Sequence, residues 1–467
     1  MSCQANNLPG VELDYRGLDE LFTRSSVLQS WLDVEKRVAE VQAELGLIPS
    51  DAAAEIASNC EFEKLDLDQL NRDATTTKHP LMPLINELVR LSGPDHGGYV
   101  HWGITTQNII QTSALYQAQK AHEILENVFT ETLSHLGDLA LTHDETIMPG
   151  RTHSRHAVPI TFGFKAAVWI EELVQSMERL QDAKGRAFVA MMGGAVGCHS
   201  ALGSDGPMFQ KQVAARLNMG EMAIPSRAIR THICEYANAL ILMASVCHRI
   251  AEDIYQSSSE EFGELNESFT DGVVGSSTMP QKLNPTLCCQ IIANSNKLYP
   301  YGGMMVGMVS RPFESDASAN TIFETGLGDL IQLFASVFIP TEALLKDLVV
   351  DADRMRENLA LSNGTIHSEF LMMKLGSLLG KHHGHDTAQR IAKAAASGER
   401  DFLEAVEALP QGLQILPELE KRMAGDSAVG LCAEFARHFG KIAKDIDTNS
   451  LPSAQERSLS SLQLVER

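Results

Sequence analysis

Aromatic residues are scarce in this chain. They make up 6% of its 467 residues, against 44% hydrophobic residues in all. A core rich in Ala, Leu and Met favours packed helices over sheets, since strands draw on β-branched and aromatic side chains. Basic charge is short as well: 38 Lys and Arg stand against 60 Asp and Glu, a formal net charge of −22. That balance argues against nucleic acid or an anionic membrane surface as the main partner. A small anionic substrate stays compatible with it, because a few cations focused in a cleft outweigh the mean field. No uncharged apolar run approaches the ~20 residues of a membrane span. The N-terminus has no basic region followed by an apolar core, so no secretory signal is read. The 8 cysteines follow no framework spacing, and Cys288 and Cys289 are adjacent. They read as reduced thiols of a cytoplasmic protein rather than disulfides or a zinc site.

What the chain does have is long helical periodicity. Apolar residues recur at helical spacing over 26–47, 108–143, 159–185, 226–259, 285–309 and 318–348. Helices this long exceed the ~10–14-residue average and predict a bundle. Several turn more than one apolar side outward, which predicts a partner subunit. The expected fold class is all-α in three domains: an N-terminal helical domain over 1–106, a central long-helix bundle over 107–350, and a small helical C-terminal domain over 351–467. Its Ser-rich tail, from Thr448 onward, is expected to be loosely held. Strand-like alternation is scarce, with a short hairpin expected over 189–203. Lys381-His382-His383-Gly384-His385-Asp386 fits no standard spacing of helical ligands. It reads as a polar turn between two helices, and no metal is expected.

The chemistry concentrates in residues 275–285, Gly-Ser-Ser-Thr-Met-Pro-Gln-Lys-Leu-Asn-Pro. This stretch sets a hydroxyl pair on a glycine hinge beside Lys282, followed by an Asn284-Pro285 step that reads as a helix start. Asn284 would be the N-cap, with the positive helix end facing the loop. A mobile hydroxyl beside a lysine and a helix end suits proton abstraction next to a carboxylate, and Gly272 and Gly275 supply hinges. Three further segments stand near long helices. One is His101-Trp102-Gly103-Ile104-Thr105-Thr106-Gln107-Asn108; another is Gly150-Arg151-Thr152-His153-Ser154-Arg155-His156, leading to a helix expected to open at Pro159; the third is Arg230. Helix N-termini bind carboxylates through free N–H groups, and Thr105, Thr106 and Thr152 offer neutral donors. Taken alone, Thr105 and Thr106 read more readily as plain helix caps.

The 275–285 stretch resembles the signature loop of the fumarase/aspartase superfamily, in its adenylosuccinate lyase and 3-carboxymuconate cycloisomerase branch, and the resemblance covers nearly the whole chain. It implies Ser276 as general base, with Lys282 and Asn284 holding substrate. Gly-Arg-Thr-His is similar to the family motif whose histidine is the general acid, which implies that role for His153. Thr105 and Thr106 match the family's carboxylate-holding Thr-Ser. His79, in Thr77-Lys78-His79-Pro80, and His101 match two further active-site histidines, and Arg230 resembles the arginine opening the central helix at the substrate pocket. Arg311-Pro312-Phe313-Glu314-Ser315-Asp316 either lines the pocket of another subunit or is a surface loop. The resemblance further implies a homotetramer whose active sites combine segments of three subunits, acting on a small dicarboxylate without a cofactor.

Three departures bear on substrate. The glutamate that the lyases carry five residues after the signature asparagine is Cys289 here, as on the cycloisomerase side of the family. The aspartate after Thr-Ser is Asn108. The N-terminal Arg-Tyr is replaced by Asp14-Tyr15-Arg16, which argues against adenylosuccinate itself. The expected reaction is anti elimination of a C–N bond in an N-substituted aspartate, releasing fumarate. The alternatives are a carboxymuconate-type cycloisomerase or a catalytically silent structural relative.

Overall fold

The computed structural model describes residues 3–8, 11–269, 278–279, 281–424 and 429–459. Seven helices carry the features that matter here: α1 (Arg24–Glu44), α2 (Met82–His96), α3 (Thr106–Thr142), α4 (Phe162–Ala187), α5 (Thr231–Ser257), α6 (Thr286–Gly307) and α7 (Ala317–Lys346). Their ends obey local rules. The Thr23 side chain accepts the Ser26 amide at the start of α1. At its far end Gly46 takes φ 70°, with Gly46 N–H given to Ala43 and Leu47 N–H to Gln42. That is the paired closure only a residue tolerant of the left-handed region makes cheaply. Helix α7 is long and apolar enough to cross a membrane, yet 72% of its most apolar window is buried within the protein, as in a core helix.

The chain divides into two compact units. Unit 1 comprises Met1–Val128, Ser176–His248 and Gln290–Pro340; unit 2 comprises Phe129–Gln175, Arg249–Cys289 and Thr341–Arg467. In unit 1, Leu32 and Val38 of α1 are buried together with Leu84 and Leu88 of α2. In unit 2, Phe162 and Trp169 of α4 are fully buried and meet edge to face, with ring centroids 6.0 Å apart. Further along, Leu371, Leu375, Phe402, Val406 and Leu419 form a separate core. Each such side chain contributes roughly 1.5–3 kcal/mol of burial free energy.

Several local expectations are corrected. Residues 159–161 open no helix: a two-stranded antiparallel hairpin, β1 (Ile147–Thr152) and β2 (Arg155–Thr161), precedes α4. Pro149 faces Pro159, and a bulge follows on β2 at a point where a Cβ on Gly150 would come within 2.8 Å of the Val158 carbonyl. The ring of a proline cannot donate to a ladder, but these two face one another beside a register shift, where little pairing is lost. No hairpin forms over 189–203; Val189–Ala190 instead pairs in parallel with Gly220–Glu221. The His-rich segment is the first turn of a helix, Lys381–Ala396, not a turn between helices. The C-terminal tail is anchored up to Leu459. Ser453 and Glu456 form a capping box, and the side chain of Arg457, 3% exposed, pairs with Glu171 at 2.8 Å.

Candidate functional site

In unit 1 the structure gathers four of the expected residues, His79, His101, Thr105 and Thr106. Thr105 precedes α3, whose first turn is closed by Asn108: its Oδ1 accepts the Thr105 N–H at 3.0 Å, and its own N–H goes to the Thr105 carbonyl at 2.8 Å. This is half of a capping box, with asparagine where glutamate is usual. Asn108, flagged as a departure, thus has a local task that an amide performs.

His79 caps α2 from its side chain. Its Nδ1 accepts the N–H groups of Leu81 and Met82 at 3.1 and 3.3 Å. A nitrogen that accepts carries no proton, so in the neutral ring the hydrogen sits on Nε2. That nitrogen lies 3.4 Å from Thr106 Oγ1. Burial, with help from nearby His101, holds the His79 imidazole below its ordinary value. His79 is therefore a neutral donor whose tautomer the backbone dictates. His101 sits at φ 59° and meets the buried Glu35 carboxylate at 2.5 Å. Glu35 escaped the sequence analysis, though it was readable: it interrupts the buried stripe Leu28, Leu32, Ala39 on α1, and a carboxylate there needs a partner.

Arg230, at the entrance to α5, is 1% exposed. Its guanidinium donates to the Arg227 carbonyl at 3.0 Å, the Ala319 carbonyl at 2.8 Å and Asn320 Oδ1 at 2.5 Å. Burial lowers it to about 10. Its donors tie α5 to the first turn of α7.

In unit 2, His153 and Ser154 form the two-residue loop of the β1–β2 hairpin, between the paired Thr152 and Arg155. Their φ angles are 50° and 59°. Two successive positive φ values mark the tight turn that asparagine and glycine favour, so this backbone is strained. His153 and Thr152 are exposed at the tip. Below them Arg151 holds the buried Glu264 with two contacts, at 2.9 and 2.6 Å. Arg151 also lies 4.9 Å from the centroid of the Phe262 ring. Nearby His156 is held below its ordinary value by burial and by Arg151.

Of the signature stretch, Ser276, Gly272 and Gly275 lie outside the described residues. Lys282 is exposed, and its N–H goes to the Met279 carbonyl at 3.0 Å. Asn284 accepts the Thr286 hydroxyl on its carbonyl at 3.1 Å. The start of α6 is already occupied: Leu287 N–H and Cys288 N–H donate to the Glu267 carboxylate at 3.1 and 2.8 Å. The expected positive helix end thus holds an anion of its own chain. Burial and Glu267 both push the Cys289 thiol up, so it is neutral at pH 7.

Glu264 and Glu267 were missed as well. They lie in the acidic run Glu260-Glu261-Phe262-Gly263-Glu264 and just after it, where a solvated surface is the natural expectation. None of the eight cysteines forms a disulfide.

A family model described as Lyase matches residues 16–297. An N-acetyl-S-(2-succino)cysteine lyase of Dickeya dadantii is 31% identical over 382 residues, 82% of this chain and 84% of its own. An adenylosuccinate lyase of Pyrococcus abyssi is 29% identical, covering 94% of this chain and 99% of its own. Among solved structures, the 3-carboxy-cis,cis-muconate lactonizing enzyme of Pseudomonas putida aligns with a TM-score of 0.83 at 26% identity, over 91% of this chain and 96% of its own.

Proposed function

The chain belongs to the lyase family of the fumarase/aspartase superfamily, and on that premise we propose that it releases fumarate from an N-succinylated amine by anti elimination, without a cofactor. Ser276, as alkoxide, takes the proton from the carbon next to a carboxylate. The electron pair moves into that carboxylate as an aci-dianion, which Lys282 and Asn284 stabilise. The pair then returns to form the double bond, the C–N bond breaks, and His153 supplies the proton that the leaving nitrogen needs.

One observation carries this reading: His153 is exposed on a two-residue turn whose base is clamped by Arg151 and a fully buried Glu264. That offers an imidazole to substrate in a fixed position without burying it. His79 fits the role of neutral hydrogen-bond donor beside Thr106, because its proton is confined to Nε2. The working form is proposed as a cytoplasmic homotetramer. Exposed apolar side chains on the long helices support assembly, among them Val168, Leu242, Met304 and Val306.

A second reading has a specific support. The leaving atom would be a thioether sulfur, as the name of the Dickeya relative describes for that protein. Sulfur leaves more readily than an amine and asks less of the acid, which suits a His153 without the usual glutamate at position 289. The test runs the reaction backwards. Purified protein and a Ser276→Ala control are each given fumarate with a panel of amines and thiols, and products are read by mass spectrometry. An amine adduct made only by the intact protein establishes the C–N lyase, and a thiol adduct the thioether reading. Neither adduct sinks both and transfers the site to lactonisation of muconate-type acids.

A further inference from the structure

Four consecutive residues, Glu264 to Glu267, touch both chemistry-bearing elements of unit 2. Glu264 has no exposed surface. Besides Arg151, its carboxylate takes the Asn358 side-chain amide at 2.8 Å. Its backbone is pinned on both sides: its N–H goes to the Ser257 carbonyl at 2.9 Å, and its carbonyl takes the Asp351 N–H at 3.0 Å. Leu265 and Asn266 then pair antiparallel with Val350 and Val349. Glu267, 6% exposed, caps α6 through Leu287 and Cys288.

The spacing is what the task requires. In an extended stretch, residues three apart point to opposite faces, so one carboxylate faces the hairpin and the other faces the helix. A carboxylate with no exposed surface persists only where every oxygen is matched, and each of these is matched by the element it meets.

We propose that Glu264 and Glu267 are a yoke of positioning residues that hold the His153 hairpin and the Asn284 end of the signature stretch at one fixed spacing. Its catalytic consequence rests on the reading of His153 as the acid; its mechanical content does not. The short ribbon with Val349–Val350 makes the segment move as one piece, so loosening either carboxylate loosens both partners.

Hydrogen–deuterium exchange tests this without a substrate, on the peptides spanning 147–161 and 284–290. In Glu264→Gln the hairpin peptide exchanges about tenfold faster, and in Glu267→Ala the helix peptide does, since local opening exposes those amides. The yoke also requires the cross effect, with each variant speeding exchange in the other's partner. Two variants that each loosen only their own partner overturn the proposal. Arg151→Lys keeps the charge pair while losing the two-pronged contact, and shows the same cross effect should Glu264→Gln fail to fold. A kinetic arm follows fumarate release from N-acetyl-S-(2-succino)cysteine and from adenylosuccinate in parallel. There Glu264→Gln lowers kcat about tenfold at constant KM in the wild type and has no further effect in a His153→Gln background, because it acts through that residue. Full activity in His153→Gln removes the acid reading, while the exchange experiment still decides the yoke.

Discussion

His79 Nε2 faces Thr106 Oγ1 at 3.4 Å, and the opposite ring nitrogen is spent on two backbone amides. The two ends of the imidazole can therefore be tested separately. Asparagine places its carbonyl oxygen near where Nδ1 stood, keeping the cap but deleting the donor. His79→Asn is expected to hold stability within about 0.5 kcal/mol, while His79→Ala loses about 1 kcal/mol, the usual worth of a cap. Both lose activity alike. Thermal unfolding of the pair decides this; an Asn variant as unstable as the Ala variant removes the capping account.

The His153–Ser154 turn carries a cost that glycine would relieve. Ser154→Gly is expected to stabilise the protein by about 1 kcal/mol, since an L side chain at positive φ is strained by that order. Urea midpoints measure it, and an unchanged midpoint means that the turn is relaxed. His153 keeps its identity, so activity reports whether the strain also serves to aim the ring.

Arg230 separates a structural cation from a substrate-binding one. Arg230→Lys cannot reach Arg227, Ala319 and Asn320 together, and should cost about 2–4 kcal/mol of stability. With its donors committed inside the fold, KM should stay unchanged in the protein that remains folded. A raised KM with unchanged stability would instead make it a substrate contact.

Acid sensitivity should set in through histidines before carboxylates. Burial depresses His79, His143 and His156, and takes His232 down to about 4. A histidine depressed in the folded state binds its proton first in the unfolded chain. Stability is therefore complete above about pH 6.5 and falls as pH drops towards the folded values, by about 3 kcal/mol for His232 alone. Glu126, lowered to about 2 despite its burial by bonds to His122 and Lys184, stabilises the fold fully above its unfolded value near 4.5, and that contribution is lost only as pH falls below it. Urea titrations between pH 7.5 and 4.5 should slope accordingly and flatten in His232→Asn. An equal slope in that variant would rule out His232 as the source.

The long helices were legible because their apolar spacing repeats over many turns, and α3 begins two residues from where that spacing starts. The hairpin was not. Pro159 reads as the start of a helix, and only the register that sets it opposite Pro149 makes the two prolines compatible with strands. The motif residues were legible as residue types, but their supports were not: Arg151 and Glu264 lie 113 positions apart, and no local pattern marks a carboxylate that another segment will bury. The docked tail is a different case. Ser453-Ala454-Gln455-Glu456 spells a capping box openly, and the surrounding serines concealed it.

The pair formed by Arg457 and Glu171 spans 286 positions, and that formed by Arg437 and Asp144 spans 293. Closing a loop that long costs little more free energy than closing a shorter one, because the entropy grows only with the logarithm of length. What such closures govern is timing. Unit 2 draws on three stretches separated by parts of unit 1, so its strands of chain must find each other across a search that slows folding steeply. Until residues near 457 arrive, the Glu171 face of α4 waits uncovered. Refolding of this protein should therefore run in at least two phases, with the slower one reporting the arrival of the last segment.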